Sequence, residues 1–352
     1  MALLTTTIGA YPKPGYVEVP DWFRSEGGPN TDDPTSAYTA YMREHGDAVE
    51  EMFVRATHDA VLDQVNAGID VPSDGEIRRD TYIHYHCRHI DGFDFENLTE
   101  KEMRTGAWTA WVPTISGPLK AGAPFLPHEW RTAQAVTERP VKITVPGPLT
   151  VADSVADRHY GDERRLCAAL AEALNVEIRA LAAAGCRWIQ VDEPLFARYP
   201  ENAVAFGIDN LERCFHGVPD GVTRVMHMCC GYPEKLDQED YPKADRGAYV
   251  TIADALEDSS SVHVVSIEDA HRHNDLRLLE HFTSIKVIFG AVAIAKTRIE
   301  PVEEIVARLG DALGHIDADR LIAAPDCGLG MFDRQTARAK LTNLCAAARA
   351  VA

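Results

Sequence analysis

The sequence predicts an α/β protein folded as a (β/α)8 TIM barrel, and three observations support this fold class. Short apolar runs alternate along the chain with amphipathic stretches of about 10–20 residues, which is the pattern of parallel β/α units. There are eight such runs, the number of strands in this type of barrel. The runs are apolar on both faces, as in VIFGAVAI, which is typical of strands buried in a parallel sheet.

The predicted elements follow one another in regular order. The strand candidates are Leu3–Gly9, Ile69–Gly75, Val141–Pro146, Trp188–Asp192, Thr223–Cys229, Val262–Ile267, Lys286–Ile294 and Leu321–Pro325. The helical patterns are His45–Ala67, Asp162–Ala184, a shorter one near Asn202–Cys214, Ala244–Leu256, Asp275–Phe282, Pro301–Leu313 and Arg334–Ala350. Gly68 and Gly185 stand where two of these helices end, and Pro301 stands at the first turn of another.

One long stretch does not fit this alternation. Residues 81–140, between the second and third strands, are rich in aromatic residues, glycine and proline, and they predict a hairpin-like excursion with irregular loops. We therefore expect residues 1–352 to form a single barrel domain with an insertion at about 81–140. The alternative is an open doubly wound sheet, but no GxGxxG motif follows the first strand.

The composition is that of an acidic protein. Lys and Arg number 35 against 54 Asp and Glu, a formal net charge of −19 without a long basic run, which argues against nucleic-acid and anionic-lipid partners. The longest uncharged apolar run, Val287–Ala295, has nine residues and is too short to span a membrane. The first residues show no secretion signal, and the eight cysteines are scattered through a long chain. We expect a cytoplasmic protein.

His227 and Cys229, at the end of the fifth strand, form the sharpest candidate site. Residues two apart on a strand project to the same side, so an imidazole and a thiolate can both face the barrel mouth, where barrel enzymes hold their reactive groups. Glu268 and Cys327 stand at the ends of the sixth and eighth strands and would complete an N/S/O ligand set that suits zinc. The alternative is that His227 is a satisfied core histidine and Cys229 a buried filler.

Two carboxylates mark other strand ends. Glu76 follows the second strand, and Asp192 ends the fourth. Carboxylates at the mouth would hold a cationic group such as the ammonium of an amino acid, although a salt bridge or a helix cap explains either one as well. Three cations near the mouth, Arg79, Lys296 and Arg298, would hold an anion, with a solvated surface role as the alternative. His271 and His273 are candidates for orienting the metal ligands, or else loop residues.

Taken together, these residues resemble the catalytic barrel of the cobalamin-independent methionine synthases. The matching stretches run in family order across nearly the whole chain: TTTIGAYPKP (5–14), DGE and RRD around Glu76, HIDGF (89–93), PGPLT (146–150), IQVDEP (189–194), HMC (227–229), SIE (266–268) and APDCGL (324–329). Long members of the family have an additional N-terminal barrel, and this chain resembles the catalytic half.

The resemblance implies a zinc-dependent S-methyltransferase. Zinc would be held by His227, Cys229, Glu268 and Cys327 and would activate the thiol of homocysteine, which becomes methionine. The methyl donor would be methyltetrahydrofolate or another methyl carrier. By the same resemblance, the backbone groups of the amino acid would be held by Ile8, Gly9, Glu76 and Asp192.

The sequence departs from the family pattern at three places. Ala10 stands where the family has a serine near the amino-acid site, and no folate-stacking tryptophan follows GPLT, where Ser154 lies nearby. The segment after the seventh strand, 292–296, lacks the family's histidine. Trp108 and Trp111 would supply replacement stacking for the donor, or else anchor a loop.

These departures leave other functions open. One is a thiol alkyltransferase of the epoxyalkane:coenzyme M transferase type, in which a zinc-bound thiol opens an epoxide and cations hold a sulfonate. Another is methyl transfer from a corrinoid protein partner. The third, from a different class, is a non-catalytic zinc- or thiol-binding barrel, which would have less use for the carboxylates at the mouth.

Overall fold

The structure is a computed structural model that describes residues 2–23, 33–103, 108–239, 241–259 and 261–351. Within these ranges the side chains of Asp47 and Trp108 are outside the description. The strands, numbered in chain order, are β1 (Leu4–Thr5), β2 (Ile90–Met103), β3 (Trp108–Ala121), β4 (Lys142–Pro146), β5 (Ala156–Asp157), β6 (Trp188–Asp192), β7 (Thr223–Met228), β8 (Val264–Glu268), β9 (Lys286–Val292) and β10 (Leu321–Pro325).

A curled parallel sheet forms the centre of the molecule, which confirms the predicted α/β class. Its strand order is β1-β10-β9-β8-β7-β6-β4, and every neighbouring pair is parallel. Parallel neighbours place the carboxyl ends of all these strands along one edge. Polar residues that are far apart in sequence are thereby brought to the same edge.

The predicted second strand, Ile69–Gly75, is not a regular strand. Isolated parallel bridges connect Val71 with Thr6 and Ser73 with Lys142, so this segment links the two ends of the curled sheet. Pro72 lies between the two bridges and has no N–H to donate to a ladder, although its carbonyl accepts the backbone N–H of Lys142. The first predicted strand is likewise regular only at Leu4–Thr5.

The helices alternate with the strands along most of the chain. They are α1 (Pro34–His45), α2 (Glu50–Ala67), α3 (Tyr82–Cys87), α4 (Leu126–Gln134), α5 (Pro148–Asp153), α6 (Glu163–Ala184), α7 (Pro194–Arg198), α8 (Pro200–Asn202), α9 (Ile208–Phe215), α10 (Ala248–Asp258), α11 (Val302–Ala312) and α12 (Arg334–Ala350). The predicted helix 275–282 is a short 3-10 helix, Leu276–His281. In the described ranges, none of the helices combines the length and apolar composition needed to cross a bilayer.

The region between the second and third predicted strands contains a long antiparallel hairpin. Strand β2 pairs with β3, and β5 adds to β3 in parallel, giving a separate three-stranded sheet. The turn residues 104–107 lie outside the described part of the chain. Helices α3 and α4 flank the hairpin, and Thr81 begins α3 by accepting the N–H of His84 on its hydroxyl.

Two faces of the curled sheet bury different sets of residues. The large core includes strand residues such as Ile189 and Val191 together with helix residues such as Leu170 and Leu174. A separate small cluster consists of Ile8, Val225, Val264, Ile288, Ile322 and Ala324. Because side chains alternate along a strand, Val225 shares its face with His227, and Val264 shares its face with Glu268. The small cluster therefore forms the floor beneath the polar strand ends.

Candidate metal centre and active site

The carboxyl ends of β7, β8 and β10 bring four potential metal ligands together. Each of His227, Cys229, Glu268 and Cys327 offers one ligand atom, and these atoms all lie within 4.8 Å of one another. The Sγ atom of Cys327 lies 3.4 Å from Nε2 of His227, although 100 positions separate the two residues. Ligands at ordinary zinc distances in a tetrahedral arrangement are about 3.5 Å apart. The cluster is therefore a candidate metal site.

The imidazole of His227 is hydrogen-bonded, through the nitrogen that faces away from Cys327, to a serine on the neighbouring strand. The register pairs His227 with Ser266, and His227 Nδ1 lies 2.9 Å from Ser266 Oγ. A proton on Nδ1, donated to that oxygen, leaves the lone pair of Nε2 on the side of Cys327. Burial lowers the pKa of His227 to about 3, with the charge of Lys142 adding to the effect. The ring is therefore neutral, which is the form that binds a metal.

Two of the remaining ligands, Cys229 and Glu268, are buried. Oε1 of Glu268 is buried and has no hydrogen-bond partner within the described residues. Burial raises the pKa of Glu268, and the nearby Cys229 raises it further. The hydrogen bond to Cys327, and after it burial, raises the pKa of the Cys229 thiol well above its ordinary range. A divalent cation among these groups would supply the missing partner of Glu268 and favour the thiolate forms.

Glu76 lies at the same edge and is rigidly held. Its backbone adopts φ +56°, a left-handed conformation that is uncommon for a residue other than glycine. Its Oε1 accepts a 2.6 Å hydrogen bond from the Thr144 hydroxyl, and the Arg79 guanidinium lies 3.3 Å away. Burial nevertheless raises the pKa of Glu76. A largely buried carboxylate on a strained backbone is a common feature of functional sites.

Asp192 ends β6 and lies beside His227 in the sheet register. Its Oδ1 accepts a 2.7 Å hydrogen bond from the amide of Gln190. Burial, followed by the negative charge of Glu76, raises the pKa of Asp192 well above its ordinary range. Two neighbouring carboxylates that repel each other, those of Glu76 and Asp192, form an attractive position for a cation.

A cleft opens above these groups. Of the residues predicted from the sequence, its lining includes Ile8, Gly9, Glu76, Trp111, Asp192, His227, Cys229 and Cys327. Glu268 lies within the metal cluster but is not part of the lining. Trp111 is 51% exposed on β3, and the side chain of Trp108 lies outside the described residues.

An aromatic wall completes the cleft, and sequence reasoning did not identify it. Trp22 stacks on Tyr232 with ring centroids 6.4 Å apart and also contacts Tyr82 and Phe23. The hydroxyl of Tyr232 donates to the backbone carbonyl of Gly328, next to Cys327. These residues come from loops and a short helix, so no periodic pattern marks them in the sequence.

Several polar residues near the strand ends have structural roles instead. Glu193, which follows Asp192, accepts the N–H groups of Leu149 and Thr150 and thereby holds the N-terminus of α5. His271 accepts two backbone N–H groups on Nε2 and His273 contacts Asp269, so neither takes the orienting position that Ser266 occupies at His227.

The candidate anion-binding residues are also largely engaged. Arg79 is buried and donates to the hydroxyl and carbonyl oxygens of Thr144. Lys296 pairs with Glu239, and Arg298 pairs with Glu304 at the surface. Arg198, at the end of α7, does line the cleft, and sequence reasoning missed it.

Comparisons with known proteins identify the family to which this chain is similar. Residues 3–201 and 249–350 match the family model described as cobalamin-independent synthase, catalytic domain. A methionine synthase of Sulfolobus acidocaldarius is 28% identical over 344 residues, covering 97% of this chain and 90% of that protein. A methionine synthase of Thermococcus kodakarensis is 29% identical over 348 residues, covering 97% and 91%.

A solved structure extends the likeness to three dimensions. A B12-independent methionine synthase from Shewanella sp. W3-18-1, in complex with selenomethionine, superposes with a TM-score of 0.86 at 29% identity, covering 100% of this chain and 98% of that one. A methyltransferase from Methanosarcina mazei, at 14% identity and a TM-score of 0.59, shares the fold over 97% of this chain and 93% of its own.

Proposed function

The chain belongs to the family of the cobalamin-independent synthase catalytic domain, and from this premise we propose that it transfers a methyl group to the thiol of L-homocysteine to give methionine. One observation carries the proposal: a cluster of four potential metal ligands, three of which line the cleft, lies beside the carboxylates of Glu76 and Asp192, which line the same cleft. The metal ligands suit a thiol substrate, and the carboxylates suit an ammonium group. Homocysteine carries both.

We propose that the metal is zinc and that His227, Cys229, Glu268 and Cys327 hold it. The residues fit this ion, because the donor set mixes sulfur and nitrogen, and the buried Oε1 of Glu268 is otherwise without a partner among the described residues. When bound, zinc lowers the pKa of a coordinated thiol, so that a thiolate nucleophile exists at neutral pH. The protein would fix the imidazole tautomer through Ser266.

The amino acid would be oriented by groups that line the same cleft beside the metal ligands. Glu76 and Asp192 would receive the ammonium, while the backbone of Ile8 and Gly9 would contact the carboxylate and amino groups. With its amino and carboxylate groups held in this way, the substrate would direct its thiol towards the metal ligands. Positioning of this kind lowers the entropic part of the barrier to methyl transfer.

The methyl donor would be methyltetrahydrofolate or another methyl carrier, bound in the open part of the cleft. Trp111 lines this part and is half exposed, so its ring can stack on a planar donor. Trp108 is the second candidate for this role. The relatives described as cobalamin- or B12-independent give no support to a corrinoid protein partner.

We further propose that residues 1–352 form one closed (β/α)8 catalytic domain, with the insertion at about 81–140, and that the protein is cytoplasmic. The bridges at Val71 and Ser73 support closure, because they join the two ends of the curled sheet. The β2–β3 hairpin supports the insertion, since it pairs outside that sheet.

An activity panel tests the proposal. L-homocysteine and coenzyme M are each combined with methyltetrahydrofolate (mono- and polyglutamate), a methyl-corrinoid and a small epoxide. We expect methionine from homocysteine and a methyl donor. Product only with the epoxide would replace methyl transfer by ring opening, with Arg198 as the cleft cation for a sulfonate. No turnover with any pair would favour a non-catalytic binding barrel.

The Asp192→Asn variant tests the placement of the amino acid. We expect it to weaken homocysteine binding at least tenfold and to leave coenzyme M binding unchanged. Glu177→Gln is the matched control, because Glu177 is a buried carboxylate that accepts backbone N–H groups at Phe125 and Leu126, outside the cleft lining. Equal homocysteine binding by the Asp192 variant and the unaltered protein would contradict the assignment.

A further inference from the structure

A lysine ammonium is buried inside the sheet beneath the candidate amino-acid site. Lys142, the first residue of β4, has no exposed surface. Its Nζ donates a 2.6 Å hydrogen bond to Oε1 of Gln190. Burial lowers the pKa of Lys142 to about 7, against the opposing influence of Asp192 and Glu76. A buried ammonium is energetically unfavourable compared with an apolar side chain, so stability alone does not explain this residue.

Gln190 connects Lys142 to the cleft. Its amide nitrogen donates to Oδ1 of Asp192 at 2.7 Å and to the backbone carbonyl of Ile8 at 2.9 Å. The two orientations of this amide are therefore not equivalent. If the amide were reversed, its oxygen would face two acceptors, and the hydrogen bond that it now accepts from Nζ of Lys142 would be lost.

We propose that Lys142 is a positioning residue for the amino-acid substrate: by holding the oxygen of Gln190, it directs the amide N–H groups to Asp192 and to the Ile8 carbonyl. These are groups that the proposed function assigns to the substrate's amino end, so the inference rests on that function. Lys142 acts through Gln190 and touches no substrate atom.

Whether replacing Lys142 weakens or tightens substrate binding distinguishes a positioning role from a purely electrostatic effect of its charge. A positive charge beneath the site repels a substrate ammonium, so removing that charge alone would tighten binding. Loss of positioning has the opposite result, because the Gln190 amide is then free to turn and Asp192 loses its donor. Lys142→Met keeps an unbranched side chain of four heavy atoms, with sulfur in place of Cδ, and removes the terminal amino group.

Binding of L-methionine, measured by calorimetry, tests the inference without a methyl donor. The comparison ligand is 4-(methylthio)butanoate, which lacks only the amino group. We expect Lys142→Met to weaken L-methionine binding at least tenfold and to change binding of the analogue less than threefold. The control is Lys340→Met, because Lys340 is equally buried but is held by Glu300 and the carbonyls of Ala293 and Arg298.

A second variant keeps the test valid if Lys142→Met folds poorly. The double variant Lys142→Met/Gln190→Leu leaves neither partner of the hydrogen bond unpaired, and we expect it to show the same selective loss. Unchanged or tighter L-methionine binding by these variants would overturn the inference alone. Absence of L-methionine binding by the unaltered protein would overturn the proposed substrate and the inference with it.

Discussion

The carboxylate of Glu76 lies directly against the backbone of Gly9. A Cβ atom on Gly9 would fall 2.5 Å from Oε1 of Glu76 and 3.3 Å from Cγ2 of Thr144. Oε1 is also hydrogen-bonded to the Thr144 hydroxyl, so Glu76 cannot move aside without breaking that bond. Glycine at position 9 is therefore required by the close approach of a cleft carboxylate.

Gly9→Ala should displace Glu76 and impair substrate binding. We expect KM for homocysteine to rise at least tenfold and the free energy of unfolding to fall by about 1–3 kcal/mol, as for other overpacked sites. Steady-state kinetics and urea unfolding measure the two effects. Gly15→Ala is the control, because among the described residues, apart from its two chain neighbours, none has an atom within 4 Å of a Cβ there. A Gly9→Ala variant with unchanged KM would contradict the role of Glu76.

The sequence predicted the residues at the strand ends better than the neighbouring residues that contact them or complete the cleft. His227, Cys229, Glu268 and Cys327 could be placed together because parallel strands share one edge and residues two apart share one face. The same alternation places Ser266 on the face of Glu268, so this residue could have been identified. Trp22 and Tyr232 could not, because loop geometry, not periodicity, brings them to the cleft.

The second strand shows a further limit of pattern analysis. The apolar run from Ile69 predicts a strand, but Pro72 interrupts its ladder and leaves only two bridges. Lys142 shows the limit for charges, because a lone lysine within an apolar run does not reveal that Gln190 is its partner. Both features depend on the spatial neighbours that folding supplies.

Removing a thiol ligand should reduce zinc binding. We expect the unaltered protein to bind one zinc ion, and Cys229→Ser and Cys327→Ser to bind it at least tenfold more weakly, because a hydroxyl is a poor replacement for a thiolate. Metal analysis after equilibration with a chelator measures the difference. The control is Cys345→Ser, at a buried cysteine near Thr5 outside the metal cluster. Full zinc retention in both ligand variants would refute the ligand assignment.

Ser266→Ala should weaken the metal site without removing a ligand. The hydroxyl of Ser266 holds Nδ1 of His227 at 2.9 Å, and its loss frees the imidazole to rotate or change tautomer. Loss of such supporting hydrogen bonds typically lowers metal affinity by about 10–100-fold. Competition with a chromogenic chelator measures the affinity. Ser261→Ala is the control, because Ser261 is also buried but bonds to Ser259. Equal affinity of the Ser266 variant and the unaltered protein would exclude this role.

A buried histidine away from the metal cluster should make stability depend on pH. His86 in α3 is 1% exposed; its Nδ1 donates to the Tyr82 carbonyl, and its Nε2 has no partner among the described residues. Burial, and after it the charge of Arg79, lowers the pKa of His86 well below its ordinary value. The unfolded chain therefore takes up a proton below about pH 6.5 that the folded chain does not. The contribution of neutral His86 to the free energy of unfolding is therefore fully present above about pH 6.5. It is lost as the pH falls from there towards the pKa of His86 in the folded chain.

His86→Gln removes this titration, so the variant and the unaltered protein should respond differently to acid. Their difference in unfolding free energy should change in favour of the variant by about 1.4 kcal/mol for each pH unit below 6.5, until the folded-state pKa is reached. Urea unfolding at pH 7.5, 6.0 and 5.0 measures this difference. His315→Gln, at a histidine paired with Glu280 near the surface, is the control. A difference that stays constant over this range would show that His86 is protonated equally in both states, because only unequal proton uptake gives stability a slope with pH.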